Sequence, residues 1–259
     1  MKIAIVSGAT SGLGHAFLEQ WQQRYIELDE LWLIARHEDR LLAVAEALPW
    51  KVRCFAIDLA EAEERAVLFR ALETTQPEVQ YVVNAAGYGK IGRVDAIQPD
   101  EQAGMVDLNC TALVDVSQRV LPYLTKGSVI FEIASVAAFL PQPQFAVYAA
   151  SKAFVLSFSR ALNAELQHTG AHVIAVCPNP MATAFFERAG GTPSAFKRLF
   201  FEKPETVAAK ALRAAEKGKD VVVSCNSGRF LRIISKILPH RFVLQIEKLL
   251  AIDVSKLGK

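Results

Sequence analysis

Three side chains in the middle of the sequence have types and spacing suited to proton transfer. Tyr148 and Lys152 are four residues apart within Ala146–Arg160, a segment whose pattern favours a helix. In a helix this spacing places both side chains one turn apart on one face. A lysine ammonium near a phenol lowers the pKa of the tyrosine, which makes the phenol a usable general acid and base. Ser135 follows the apolar run Val129–Ile133, so we expect its hydroxyl at the carboxyl end of a strand, where open α/β sheets bind ligands.

A glycine-rich loop near the start of the chain has the pattern of a loop that binds the phosphates of a cofactor. The loop, Ser7–Gly14, follows an apolar run that predicts a strand and leads into an amphipathic segment that predicts a helix. Glycines at this place let the backbone turn tightly and approach a pyrophosphate, and the helix N-terminus adds free N–H groups. An ordinary tight turn between strand and helix is the minor alternative.

The elements that position these residues alternate along the chain, which is typical of a parallel sheet covered on both faces. The predicted fold class is α/β, a Rossmann-type doubly wound parallel sheet of about seven strands with helices on both faces. The predicted strands are Lys2–Ser7, Leu31–Ala35, Lys51–Ile57, Tyr81–Asn84, Gly127–Ile133, His172–Cys177 and Asp220–Val223. The predicted helices are Gly12–Arg24, Glu38–Leu48, Glu61–Thr75, Pro99–Leu124, Ala146–His168 and Pro204–Lys217.

Length and composition limit the function classes. The chain of 259 residues fits one large α/β domain, predicted over residues 1–226, and its net charge of +2 does not favour nucleic-acid binding. The four cysteines, at 54, 110, 177 and 225, are far apart, so we expect no metal site or disulfide framework but small core residues in a reducing compartment. The first six residues are too short for a secretory signal, and no apolar stretch is long enough to span a membrane. The expected location is therefore the cytoplasm.

Four motifs together resemble the short, single-domain branch of the short-chain dehydrogenase/reductase family. They are the glycine loop Gly8–Gly14, the segment Asn84-Ala85-Ala86-Gly87, Ser135 thirteen residues before the tyrosine, and the pair Tyr148 and Lys152. The resemblance covers roughly Lys2 to Val223. It implies an oxidoreductase that transfers a hydride between a nicotinamide and a carbonyl or secondary alcohol.

The resemblance also implies catalytic roles. Tyr148 donates the proton to the substrate oxygen, and Ser135 orients and polarises the carbonyl. Lys152 lowers the pKa of Tyr148 and hydrogen-bonds the nicotinamide ribose. Asn109 supports a proton relay through water near Lys152, with a buried amide satisfied by neighbouring backbone as the alternative.

A further set of residues is implied to bind the cofactor. Asp58 is expected to hydrogen-bond the adenine ring, with a helix N-cap as a second role, and Asn84 is as consistent with a structural role as with contact. After the sixth strand the family's Pro-Gly is Pro178-Asn179 here, and asparagine tolerates the positive φ that glycine adopts. The full set comprises Gly8, Thr10, Ser11, Gly12, Leu13, Gly14, Arg36, Asp58, Leu59, Asn84, Ala85, Ala86, Gly87, Tyr148, Lys152, Pro178 and Thr183.

The end of the second strand indicates which cofactor is used. Enzymes that select NAD commonly place an acid here to bind the ribose 2′-hydroxyl. This chain has Leu33-Ile34-Ala35-Arg36-His37, with no acid and with a guanidinium that can pair with a 2′-phosphate. The prediction is NADP (NADPH), with NAD less favoured.

Residues 179–203 lack clean periodicity and follow a strand end, so they are predicted to form a lid over the site. Five phenylalanines of this region and a sixth, which follows Ser135, favour an apolar substrate, although the lid phenylalanines would equally serve to pack the lid onto the domain. They are Phe139, Phe185, Phe186, Phe196, Phe200 and Phe201.

Residues 227–259 form a predicted C-terminal amphipathic extension with two apolar stripes flanked by basic residues. We expect the stripes to pack on their own domain or on a partner subunit, with contact to an anionic membrane surface as the less favoured alternative. The expected partners are a small carbonyl or alcohol substrate and further copies of the chain, as a homodimer or homotetramer. A non-catalytic NADP-binding sensor or scaffold is the alternative function, and a nucleotide-sugar epimerase is disfavoured by length.

Overall fold

One seven-stranded parallel sheet organises the chain. The computed structural model describes residues 1–181, 183, 185–190, 201–239, 241–242 and 244–245. The sheet has the order β3-β2-β1-β4-β5-β6-β7, which confirms the predicted doubly wound α/β class. The strands are β1 (Lys2–Ser7), β2 (Glu30–Ala35), β3 (Val52–Ala56), β4 (Glu78–Asn84), β5 (Leu124–Ile133), β6 (His172–Cys177) and β7 (Val221–Val223).

Helices cover both faces of the sheet because strand side chains alternate between two apolar clusters. Ile3 and Ile5 of β1 belong to one cluster, and Ala4 and Val6 belong to the other. The helices are α1 (Gly12–Gln23), α2 (Glu38–Glu46), α3 (Ala62–Thr75), α4 (Pro99–Val106), α5 (Leu113–Val120), α6 (Ala146–Glu165), α7 (Phe185–Ala189), α8 (Pro204–Ala215) and α9 (Asn226–Ile237).

The predicted single helix Pro99–Leu124 is wrong in two ways. Between α4 and α5 the backbone forms a π-helical segment, Asp107–Ala112, which carries the buried amide of Asn109. At the far end, Pro122 lacks the N–H that would continue the helix, so the chain makes a 3₁₀ turn there. Leu124 then starts β5 and pairs with Val79 of β4. Apolar periodicity continues across both breaks, which is why the sequence pattern did not reveal them.

The glycine loop adopts the backbone that the sequence predicts for it. Gly8 has φ +65° and Gly12 has φ +57°, in the region that side chains disfavour. Gly14 is required for close approach, since a Cβ there would lie 2.4 Å from the carbonyl oxygen of Gly8. β1 lies between β2 and β4, so the loop opens at the point where the strand order reverses and ligands bind in such sheets.

The described part of the C-terminal extension packs only one face on the domain. Gly228 and Leu231 of α9 face the protein, and a Cβ on Gly228 would come within 2.8 Å of Val136. Phe230 and Ile233 of the predicted stripe are instead 65% and 58% exposed. This stripe therefore does not cover its own domain, because the helix turns it outward, and the other expectation, packing on a partner subunit, stays a prediction. Most of the second predicted stripe lies outside the described residues.

The four cysteines are free. Cys110 and Cys177 are buried, as expected for core residues, whereas Cys54 and Cys225 are only half-buried. The thiol of Cys225 has a local role, since it accepts a hydrogen bond from the N–H of Gly228 and caps α9. Within the described residues, no helix is both long and apolar enough to cross a bilayer.

Replacing Gly14 with alanine should destabilise the fold, because the new methyl would collide with the Gly8 carbonyl. Overpacking of this kind costs about 1–3 kcal/mol. Urea unfolding of Gly14→Ala measures the effect. Ser11→Ala is the matched control, since the Ser11 side chain makes no capping hydrogen bond, and its stability should stay within about 0.5 kcal/mol of the parent. Equal stability of Gly14→Ala and the parent would contradict the packing described for this loop.

Candidate active site

The loops after β1, β4 and β6 meet at one edge of the sheet. The Ser7 hydroxyl donates to the Val83 carbonyl at 3.3 Å and accepts from the Ala86 N–H at 3.1 Å, which ties the first two loops together. A Cβ on Gly8 would lie 3.0 Å from the backbone of Ala85 and Ala86. Thr183, after β6, approaches within 3.5 Å of the position that a Cβ on Gly12 would occupy. The structure therefore brings together the glycine loop, the 84–87 segment and Thr183.

This cradle fits a dinucleotide. The first turn of α1 contains no acidic residue, and the Ser11 side chain makes no hydrogen bond to its N–H groups. The two positive-φ glycines leave the backbone open to a pyrophosphate, which a helix N-terminus attracts. By contrast, the described residues contain no group of three or more potential metal-ligating His, Cys, Asp or Glu side chains.

The three residues proposed for chemistry come together beside this cradle. Ser135 caps the short turn after β5, where its Oγ accepts a hydrogen bond from the Ala137 N–H at 3.1 Å. Tyr148 lies in the first turn of α6 and is 8% exposed. The Lys152 Nζ, one turn later, is 5.8 Å from the centroid of the Tyr148 ring. The Ser135 side chain is close enough to Tyr148 to lower its pKa.

Burial moves the pKa values of tyrosine and lysine in opposite directions. It raises the pKa of Tyr148 to about 12, against the smaller lowering effect of the Ser135 side chain. Burial also lowers the pKa of Lys152 to about 8, against the fields of Cys110, Glu132 and Cys177. The Lys152 Nζ donates to the Ile133 carbonyl at 2.7 Å. The structure thus differs from the expected lowering of the tyrosine pKa by Lys152, because burial of the phenol dominates and raises its pKa.

Asn109 is held next to this pair by the π-helical segment. It is 1% exposed, and its Oδ1 accepts from the Tyr88 N–H at 3.0 Å. Its Nδ2 donates to the Tyr88 carbonyl at 2.9 Å and to the Ser151 hydroxyl at 3.0 Å. A Cβ on Gly87 would lie 2.8 Å from Asn109 Oδ1 and 3.5 Å from Lys152 Nζ. The alternative of an amide satisfied by backbone is therefore realised, and the relay role stays a prediction.

A buried acid that sequence reasoning missed lies under the site. Glu132 of β5 is fully buried, and both of its oxygens accept from Asn84 Nδ2 at 3.1 Å. The Ser117 hydroxyl donates to it at 2.6 Å. Burial raises the pKa of Glu132 to about 7, against the hydrogen bonds from Ser117 and Asn84 and the charge of Lys152. The only signal in the sequence was a single acid within an apolar strand. The Asn84 side chain is committed to this cluster, which favours its structural role.

The ends of β2 and β3 place one cation, Arg36, and one acid, Asp58, close together. Arg36 Nη1 is 3.8 Å from Asp58 Oδ2, and both side chains are partly exposed. Asp58 accepts from the Ala60 N–H at 2.9 Å, so it closes a turn before α3 and is not the helix cap. Arg188 of α7, which sequence reasoning missed, lies 3.9 Å over the Tyr88 ring. Burial and then the field of Arg36 lower the pKa of Arg188.

Hydrogen bonds hold both ends of the predicted lid near the site. The Pro178 carbonyl accepts from the Val136 N–H at 3.1 Å, and the Asn179 N–H donates to Glu202 Oε2 at 3.0 Å. Asn179 Nδ2 donates to the Ser227 hydroxyl at 3.0 Å. Asn179 is not among the described residues with positive φ, so the expected glycine-like backbone is wrong. Residues 182, 184 and 191–200 of the predicted lid lie outside the described residues.

Aromatic rings line the tyrosine. Phe145, which sequence reasoning did not single out, stacks on Tyr148 at 4.3 Å between ring centroids, and Phe185 approaches it at 5.3 Å. Phe139 is buried among the residues under α9 and does not join these rings. Phe196 and Phe200 lie outside the described residues. Leu59 and Leu13 are buried in the apolar clusters on either face of the sheet.

Comparison with known proteins gives consistent matches. The family model for short chain dehydrogenases matches residues 2–192. Sulfoacetaldehyde reductase 2 of Chromohalobacter salexigens is 35% identical over 213 residues, which cover 76% of this chain and 80% of that protein. A short-chain dehydrogenase from Sphingobium yanoikuyae in complex with NADPH has 26% identity and a TM-score of 0.75, over 89% of this chain and 91% of that one. A short chain dehydrogenase/reductase from Burkholderia phymatum in complex with NAD has 21% identity and a TM-score of 0.74, over 87% and 89% respectively, and shows likeness of fold.

Replacing Glu132 with glutamine should remove a pH dependence of stability. The pKa of Glu132 is raised to about 7 in the folded state, so the folded protein binds a proton here more tightly than the unfolded chain does. The stability that this proton provides is fully present below the ordinary pKa of a glutamate and is lost as the pH rises to about 7. The free energy of unfolding of the parent should therefore fall, relative to Glu132→Gln, by up to roughly 3 kcal/mol between pH 4.5 and 7. Urea unfolding at several pH values checks this, with the exposed Glu73→Gln as control. A constant difference between Glu132→Gln and the parent at every pH would contradict the raised pKa.

Proposed function

The chain belongs to the short-chain dehydrogenase family, and from this premise we propose that it is an NADP-dependent oxidoreductase of carbonyl or secondary alcohol substrates. Membership makes it an oxidoreductase with a nucleotide-binding Rossmann-type fold. The observation that carries the finer proposal is the meeting of Ser135, Tyr148 and Lys152 beside a glycine cradle that fits a dinucleotide. This intact set argues against the non-catalytic sensor, which has no need of a proton donor.

The protein's own residues handle the substrate oxygen and its proton. The bound nicotinamide supplies or accepts the hydride at the substrate carbon. In the reducing direction the Tyr148 hydroxyl gives its proton to the substrate oxygen, while the Ser135 hydroxyl donates a hydrogen bond to that oxygen. In the oxidising direction the tyrosine takes the proton back. Lys152 remains an ammonium below pH about 8 and so supplies positive charge to the phenol when the proton leaves.

Cofactor preference is proposed from charge. Arg36 follows β2 directly and is partly exposed, and its neighbours in the sequence, Ala35 and His37, are not acids. Among the described residues, the acid within 4 Å of its guanidinium is Asp58, at 3.8 Å. Arg188 adds a second cation within the electrostatic range of Arg36. A guanidinium offers a fork of donors that matches phosphate oxygens. The NADPH complex of the 26% identical dehydrogenase supports the same choice.

The substrate is proposed to be apolar, because Phe145 and Phe185 surround the tyrosine ring. The relative named sulfoacetaldehyde reductase makes that small anionic aldehyde a necessary member of any substrate panel. A homodimer or homotetramer and a cytoplasmic location stay predictions.

Replacing Tyr148 with phenylalanine should abolish turnover while leaving cofactor binding intact. The loss should be at least about a hundredfold, because a positioned acid and base contributes that much. NADPH absorbance, followed with apolar ketones, aldehydes and sulfoacetaldehyde, measures turnover, and NADPH fluorescence measures binding. Tyr25→Phe is the control, since Tyr25 is 89% exposed. Parental turnover in Tyr148→Phe would remove the proposed chemistry, whereas lack of turnover by the parent on every carbonyl, with tight NADPH binding, would favour the sensor.

Replacing Arg36 with aspartate should shift preference from NADPH to NADH. A charged hydrogen bond is worth about 1.5–3 kcal/mol, so the ratio of the two dissociation constants should change by roughly ten- to a hundredfold or more. Fluorescence titration of both cofactors gives this ratio. Arg70→Asp on α3 serves as control because it changes the charge equally at an exposed position away from the site. If the NADPH and NADH constants weaken together in Arg36→Asp, this residue does not read the phosphate.

A further inference from the structure

Helix α9 presents an apolar stripe to solvent. Phe230, Ile233 and Ile237 are 65%, 58% and 72% exposed. Their spacing of three and four residues places them on one narrow face of the helix, opposite Gly228 and Leu231, which pack on the domain. Exposed apolar side chains are ordinary when scattered, but a contiguous stripe of large ones indicates an interaction surface. We refer to these three residues as the α9 stripe.

A basic groove runs beside the α9 stripe. It lies between α8, β7 and α9, has a volume of about 570 Å³, and is lined by no aspartate or glutamate. Within the described residues, only one of its cations forms an ion pair, that of Lys210 with Glu202 at 3.9 Å. Uncompensated cations of one sign in a concave surface create a potential that attracts anions. The basic side chains that line it are Lys210, Arg213, Lys217, Lys219, Arg229, Arg232 and Lys236.

The stripe and the groove form one continuous surface. Arg229, Arg232 and Lys236 repeat at the same spacing as the stripe and occupy the arc of the helix between the stripe and the buried face. Ile233 lines the groove and also belongs to the stripe. Apolar side chains are therefore bordered along one side by cations, which is the pattern of helices that lie in the plane of a membrane interface.

We propose that this surface docks on an anionic phospholipid bilayer. The α9 stripe enters the boundary between headgroups and acyl chains, and the basic groove faces the lipid phosphates. Negatively charged lipids attract Lys and Arg held close to the surface, and this attraction falls off over a Debye length. The contact is peripheral, since the stripe covers only one face of one helix.

Charge argues against a second copy of the chain as the occupant. A two-fold contact that buries this surface places the same patch on both copies, so each copy would bring seven groove cations to the interface and no groove acid to pair with them. A soluble phosphate compound would use the groove but would give no reason for the apolar stripe beside it. Residues 246–259, which follow in the sequence, carry three lysines against Glu247 and Asp253, so they lack the acids to neutralise the groove.

Vesicle flotation of the full chain tests the proposal. The parent should float with phosphatidylcholine vesicles that contain phosphatidylglycerol, about tenfold or more in excess of pure phosphatidylcholine, and high salt should release it. Two variants should each lose about tenfold or more of this binding: Ile233→Asp in the stripe, and Arg232→Glu with Lys236→Glu in the groove. Val67→Asp with Arg70→Glu is the matched control, an exposed apolar and basic pair on α3 that should bind as the parent does.

Four results would overturn the proposal. The first is that the parent fails to float with anionic vesicles, and the second is that both α9 variants bind as well as the parent. The third is that the α3 control loses as much vesicle binding as the α9 variants do. The fourth is that the parent is a dimer which Ile233→Asp converts to a monomer. Stabilisation of the parent by inorganic pyrophosphate without vesicle binding would likewise assign the groove to a soluble anion. Circular dichroism and thermal unfolding establish that each variant is folded, and Ile233→Ser with Arg232→Gln replaces any variant that is not.

Discussion

The ammonium of Lys152 is buried, and much of the site follows from the acceptors and charges that surround it. It bonds the Ile133 carbonyl at the end of β5, and the next residue back along that strand is the buried Glu132. A charge removed from water is tolerated only where hydrogen bonds and opposite charge replace the solvent. Asn84 and Ser117 complete the set by donating to Glu132. One polar cluster thus links the ends of β4 and β5 with the first two turns of α6, which carry Tyr148 and Lys152.

Local patterns predicted the strands and most of the helices well, because buried apolar runs and the loops that end them are easy to recognise. The structure also brings the predicted residues Ser135, Tyr148 and Lys152 to one place, although their roles stay predictions. The patterns failed where a side chain's partner is distant in sequence. The π-helical segment around Asn109 depends on Tyr88 and Ser151, and no periodicity across Pro99–Leu124 contains those contacts. Arg188 contacts the ring of Tyr88, which lies a hundred residues earlier, so the sequence around Arg188 did not reveal this contact. The orientation of α9 likewise depends on Gly228 meeting Val136, which turns the longer apolar stripe to solvent.

Asn179, which replaces the family glycine, helps to hold α9 in position. Asn179 has no positive φ, so it does not imitate glycine. Its side chain instead bonds Ser227 in the first turn of α9, and its N–H bonds Glu202 at the far end of the predicted lid. Glu202 also accepts from Ser224 at the end of β7. A glycine could supply the N–H that bonds Glu202 but not the side chain that bonds Ser227. Asn179 therefore fixes the start of α9 next to the carboxyl ends of the strands, and α9 carries the basic and apolar surface.

Burial shifts the pKa values of both Tyr148 and Lys152. It raises the pKa of the tyrosine and lowers the pKa of the lysine. Burial keeps Tyr148 protonated, as a proton donor must be, but a pKa of about 12 makes the phenol a reluctant acid. Burial also lowers the pKa of Lys152 to about 8, so its charge persists at neutral pH and is lost not far above it. The negative charge of Glu132, whose own pKa burial raises to about 7, favours the ammonium of Lys152. The fields of Cys110 and of this buried acid therefore both raise the pKa of Lys152, against the larger lowering effect of burial.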